Sequence, residues 1–250
     1  LVQTAGNNPA ADFVADAGGQ LARAVYTASG NLNAAASGDV FDATSASTLA
    51  GDRTVFALKT NQAIDGAVKL TIGNGSGTAG LILNGGAINV ATLDFGGAEG
   101  AVYVGATAAI GAAITGSGGL TKFGPGTLLL SGKNSYTGTT SAHGGTLQVG
   151  RDENLGAAGG LVQLDASTLQ TLNTFTTLRN LQLLYGGGAL QVDALTTLTI
   201  DGALSGVGGL TKLGFGTLIL SSLNSYQGDT RLVGGKLSIN ADNRLGNADA

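Results

Sequence analysis

One passage of this chain occurs twice. Residues 116–157 read GSGGLTKFGPGTLLLSGKNSYTGTTSAHGGTLQVGRDENLGA, and residues 206–247 read GVGGLTKLGFGTLILSSLNSYQGDTRLVGGKLSINADNRLGN. At an offset of 90 they agree at 23 of 42 positions, mostly Gly, Leu, Thr, Asn and Tyr. Those residue types shape backbone and core, and most charges differ. A repeat of this kind specifies a stacked architecture, in which each unit buries its apolar face against the next.

Spacing inside each copy says what is stacked. Leu128 and Leu130 flank Leu129, and Leu147 and Val149 flank Gln148, 19 residues on; Leu218 and Leu220 stand 19 residues before Leu237 and Ile239. Period-two alternation marks a strand with one face in a core, and recurrence near 19 marks one coil of a β-solenoid. Gly-rich joints such as Gly144-Gly145 and Gly234-Gly235 allow the corners. At about 20 residues per coil the chain makes roughly 12 coils, with strand edges open at both ends.

Composition agrees with a thin rod. Only 5% of residues are aromatic, which suits layers that hold a few side chains each, and 43% are hydrophobic, which argues against disorder. The 44 glycines lack a three-residue period and there are two prolines, so collagen is excluded. A net charge of −4 with no basic run disfavours nucleic acid. No apolar stretch is long enough for a membrane helix. The absence of Cys rules out disulfides and thiolate metal sites. With no Met and Leu at position 1, the chain reads as a processed or excised piece.

The strand rhythm runs steadily from Thr48, and the offset of 90 extends upstream: Phe95-Gly-Gly97 faces Tyr185-Gly-Gly187, Val102 faces Val192, and Ile110 faces Ile200. The expected organisation is a single domain over 1–250, with repeat units at about 71–157 and 161–247. Residues 1–47 are irregular and cap-like. There Asn8-Pro9 predicts a short helix over Pro9–Ala17, although Asp12 and Asp16 would repel along it. Leu21, Ala22, Val25 and Tyr26 fit a second helix or a strand.

No catalytic constellation emerges. The one histidine, His143, faces Val233 in the sister copy and so reads as a packing or corner position; without Cys, a triad would rest on it alone. Asp152 and Glu153 with Arg151, and Asp39 with Asp42, read as solvated loop charges. The stretch 73–80 lacks the Lys of a phosphate loop and reads as a turn. Asn134 with Tyr136, and Asn224 with Tyr226, read as a corner Asn tolerant of the left-handed region beside a packed Tyr. Lys122 and Lys212 are assigned to the solvated side. Leu129 and Ile219 lie between inward-facing neighbours and should point outward, where an apolar residue marks a partner surface or packs under a loop. No catalytic, cofactor or metal residue is assigned.

The passage GGLTKFGPGTLLLSGKNSYTGTT…GGTLQV, matched again over 206–240, resembles the passenger-associated transport repeat of bacterial autotransporters, and Asp94-Phe-Gly-Gly97 resembles its lead-in. The resemblance implies a right-handed parallel β-helix, secreted by the type V route to the cell surface through a C-terminal outer-membrane barrel that is absent here. Membrane contact would run only through that barrel.

Two functions follow as expectations. One is a non-catalytic adhesin or self-association module, whose partners are a host cell or matrix surface or sister passengers. The other is a passive stalk displaying an N-terminal head. A carbohydrate-active β-helix enzyme is a third class.

Overall fold

The computed structural model describes residues 2–4, 11–16, 21–23, 25–241 and 244–246. The chain winds as a parallel β-solenoid of about nine turns. Three faces carry it: a 10-stranded sheet, a 12-stranded sheet and a 4-stranded sheet. The 10-stranded face begins at Ala28–Ser29 and ends at Leu204–Ser205, and the 12-stranded face ends at Thr230–Leu232. The 4-stranded face holds Phe175–Thr177, Thr197–Ile200, Thr217–Leu220 and Lys236–Ser238.

Alternation builds the core as expected. Leu128, Leu147, Leu169 and Leu190 stand in register on successive coils, all buried. Each such leucine contributes about 1.5–3 kcal/mol by leaving water. One buried cluster extends from Leu32 to Tyr226. The coil is not uniform. The register steps from Phe41 to Leu58, Leu81, Val102 and Lys122, so a turn takes between 17 and 23 residues there. The rod is therefore shorter than 12 coils, since residues 2–4, 11–16 and 21–23 build something else.

That something is a three-stranded antiparallel sheet, Val2–Thr4, Ala11–Asp16 and Leu21–Arg23. The helix expected over Pro9–Ala17 is not what forms: residues 11–16 are a strand, and Pro9, Ala10 and Ala17 lie outside the described residues. Two forces favour the strand. It separates Asp12 from Asp16 and drops Phe13 onto the outside of the solenoid, beside Ala57, Ile82 and Tyr103. Gly80 makes the space, because a Cβ there would stand 2.7 Å from the Phe13 ring.

The two sister copies do not sit on the same faces. Lys122 pairs with Val102 and Ala142 in the 10-stranded sheet. Its counterpart Lys212 pairs with Leu190 and Leu232 in the 12-stranded sheet. An offset of 90 residues is four turns plus one face, so the second copy is turned about the axis by one side of the rod.

Candidate functional site

The residues that recur are engaged in stacking. Asn134 accepts the Ile114 N–H at 2.8 Å on one neighbouring coil and donates to the Asn154 carbonyl at 2.6 Å on the other. Asn224 repeats this with Leu204 N–H at 2.7 Å and the Arg244 carbonyl at 2.6 Å. Neither takes the left-handed region; among the described non-glycine residues only Ala166 and Leu195 do. Tyr136 is buried, with its hydroxyl 2.6 Å from Thr140 Oγ1, which donates on to the Leu155 carbonyl. Burial pushes the Tyr136 phenol up to about 12. Tyr226, Thr230 and Leu245 form the same chain.

The two lysines overturn their solvated assignment. Lys122 is 1% exposed, and its ammonium donates to the Gly124 carbonyl at 2.8 Å and the Gly144 carbonyl at 2.9 Å. Lys212 meets the carbonyls of Leu213, Gly214 and Gly234 in the same way. Burial lowers the Lys122 amine to about 8 and lowers Lys212 too. The amine closes the corner at Gly145, which holds φ +62 and where a Cβ would lie 2.4 Å from the Gly126 carbonyl.

The charged groups singled out in the sequence are scattered, each tied to its surroundings. Asp152 leaves its sequence neighbours: it binds Arg179, a fully buried residue the sequence reading passed over, through Nε at 2.8 Å. The guanidinium also donates to the Gly156 and Ala157 carbonyls. Arg151 and Glu153 pair on the surface at 3.2 Å. Asp39 accepts from the Ala36 N–H and the Thr27 hydroxyl, which hold its carboxyl below the usual range, and Asp42 lies 3.6 Å from the Lys59 ammonium. His143 Nδ1 lies 3.3 Å from Asp165 Oδ2 at a corner. Residues 73–80 form a turn, with Asn74 Oδ1 accepting from the Ser76 N–H. Among the described residues no group of three or more His, Asp or Glu is placed to hold a metal ion, and no helix is long and apolar enough to cross a membrane.

Leu129 and Ile219 both point outward and are half-buried, but on different faces. Leu129 lies between Ala109 and Gln148 on the 12-stranded sheet, and Ile219 between Thr199 and Ser238 on the 4-stranded one. The structure does not bring them together. A polar ladder continues from Leu129: Gln148 donates to Gln170, which donates to Asp193; a second links Ser141, Gln163 and Gln182 on the 10-stranded face.

A larger apolar feature escaped the sequence reading. Where the 12-stranded sheet turns into the 4-stranded one, three successive coils present Leu195, Phe215 and Val233, all exposed. Phe215 is 82% exposed. The corresponding corner residues of the first copy are Gly105, Pro125 and His143. The fold thus makes this corner without a leucine, phenylalanine or valine. The signal lay in what differs between copies.

The passenger-associated-transport-repeat family matches residues 120–149 and 210–239, the two stretches that carry the buried lysine, the asparagine clamp and the tyrosine. The chain is autotransporter passenger sequence. It is 42% identical over 172 residues to the adhesin BmaC autotransporter of Brucella suis biovar 1 (strain 1330), an alignment that covers 65% of this chain and 5% of that protein. The chain thus spans about one-twentieth of the length of the curated relative it matches. No solved structure matches it. Passenger sequence of this kind is exported to the bacterial cell surface.

Proposed function

We propose that this passenger sequence is a non-catalytic binding module of an adhesin. It would engage a host cell or matrix surface, or a sister passenger, along the side of the rod. The observation that carries this reading is the ridge of Leu195, Phe215 and Val233. Exposed apolar side chains on consecutive coils, at a corner the sister copy builds from Gly, Pro and His, serve contact with a partner better than they serve folding. Leu195 even holds φ +64, a conformation that costs a side chain of this size about 1–2 kcal/mol. Ile219 lies on the sheet that starts at this corner and extends the contact area; Leu129, on another face, would serve a separate contact. The relative is named an adhesin, which supports the same class.

The test is adhesion of the purified chain to epithelial cells and to immobilised matrix proteins, with sedimentation to detect self-association. A Leu195→Ser, Phe215→Ser, Val233→Ser triple variant should lose most of whichever binding is seen while keeping its circular dichroism. Unchanged binding by that variant would sink the reading.

The asparagine clamps and buried lysines favour a second reading, a stalk and folding core. A chain that binds nothing by itself, yet whose replacement by an unrelated solenoid of equal length leaves a longer passenger fully adhesive, would support the stalk.

A further inference from the structure

A second surface lies one corner away, where the 10-stranded sheet turns into the 12-stranded one. Here an open groove of about 440 Å³ is lined by Thr168, Tyr185, Ala189, Thr211, Asp229 and Arg231, among others. Tyr185 is 92% exposed. The side chains of Asp229 and Arg231 make no hydrogen bond or ion pair among the described residues. Nothing in the stacking of the coils uses these three groups.

The sister copy shows how the groove arises. The counterpart of Tyr185 is Phe95, which is 2% exposed. Phe95 turns inward because Gly100 leaves a space: a Cβ there would stand 2.6 Å from its ring. The residue corresponding to Gly100 is Leu190, itself fully buried, so that space is filled in the second copy and the aromatic ring is turned out. Three further differences shape the surface beneath it. Glu99, exposed and accepting from Thr121, becomes Ala189, whose short side chain lines the groove. Thr139 and Ser141 become Asp229 and Arg231, which place an acceptor and a fork of donors at the rim.

The geometry points to a carbohydrate-binding subsite in this groove, for a neutral hexose or N-acetylhexosamine of an oligosaccharide. An exposed tyrosine ring offers a flat apolar face with a polar tip, suited to the C–H face of a pyranose. Asp229, Arg231 and the Thr168 and Thr211 hydroxyls mix acceptors and donors, as vicinal sugar hydroxyls require. The opposed charges of Asp229 and Arg231 favour a neutral ligand over an anion. The volume lies within the range of small-molecule sites, and the open shape admits an internal unit of a longer glycan. The inference rests on the binding-module reading but uses a different corner from the apolar ridge.

The experiment is retention of the whole chain on immobilised oligosaccharides ending in glucose, galactose, mannose or N-acetylglucosamine, followed by titration calorimetry with the retained sugar. Wild type is expected to bind at least one neutral series, with Tyr185→Ala and Arg231→Ala each weakening it tenfold or more and Arg151→Ala, at a surface ion pair of the first copy, leaving it unchanged. No retention of any series, or retention indifferent to Tyr185→Ala and Arg231→Ala, would overturn the subsite. The two readings separate cleanly. Cell adhesion that survives Tyr185→Ala, with no sugar bound, rejects the subsite and leaves the adhesin reading standing. Sugar binding that needs Tyr185 in a chain that does not adhere to cells does the reverse.

Discussion

The side-chain amide of Asn134 donates to the carbonyl of Asn154 across one coil boundary, at 2.6 Å, while its oxygen accepts from the coil on the other side. A buried amide that bridges three coils is hard to replace. Its loss strands a backbone N–H and a carbonyl away from water, each costing about 1–3 kcal/mol. Asn134→Ala should therefore lower stability by about 2–4 kcal/mol in urea unfolding, and Asn134→Asp should cost at least as much, since a carboxylate cannot donate to Asn154.

Lys122 makes stability depend on pH in the alkaline range. Its folded value is about 8, below the ordinary 10.5. Between those two values the unfolded chain holds more protons, so stability rises with pH; Lys212 acts in the same direction. Tyr136, at about 12 against an ordinary 10, works oppositely: above pH 10 the unfolded chain ionises first and stability falls. Urea midpoints should climb from pH 8 to about 10 and then drop. Lys122→Met should flatten the climb and keep the fall. An unaltered climb in that variant would contradict the assignment to Lys122.

Arg179 is buried against Asp152 and two corner carbonyls. Removing the Arg179 side chain strands the Gly156 and Ala157 carbonyls that it serves, each orphaned buried polar group costing about 1–3 kcal/mol. Arg179→Ala should show that loss in thermal unfolding. Asp152→Asn, which keeps the hydrogen-bonding oxygen, should cost less.

Phe95 fills the space that Gly100 leaves. Phe95→Ala should destabilise by about 3–5 kcal/mol, as large-to-small core changes do. Gly100→Leu should eject the ring and raise the exposure of Phe95 to oxidant or fluorescence quencher, making the first copy resemble the second.

We also propose that the continuous core from Leu32 to Tyr226 makes this chain one domain. Calorimetry should then show a single unfolding peak. Two separable peaks, one for each repeat unit, would reject it.

Much of the rod was legible in the sequence because the alternation of Leu128, Leu130, Leu147 and Val149 maps directly onto inward and outward positions. The same alternation puts Lys122 inside, two residues after the buried Leu120, but the general rule that lysines stay wet pointed the other way. Carbonyls gathered at a glycine corner are what make the exception possible, and one-dimensional spacing does not display them. The Ala11–Asp16 strand was missed because a short apolar and acidic run satisfies a helix and a strand equally until Gly80 offers Phe13 a seat. The groove at Tyr185 was hidden for a similar reason. Phe95 and Tyr185 look interchangeable, and their opposite orientations depend on Gly100 and Leu190 five residues further on.

Because 90 residues advance the chain by four turns and one face, sister copies point in different directions around the rod. If the same block were repeated again at the same offset, successive copies would step from side to side, and only the fourth would look out over the azimuth of the first. Duplication of such a block spreads a surface feature around the circumference of a filament instead of lining it up, so a long passenger could offer the same contact to partners approaching from any side.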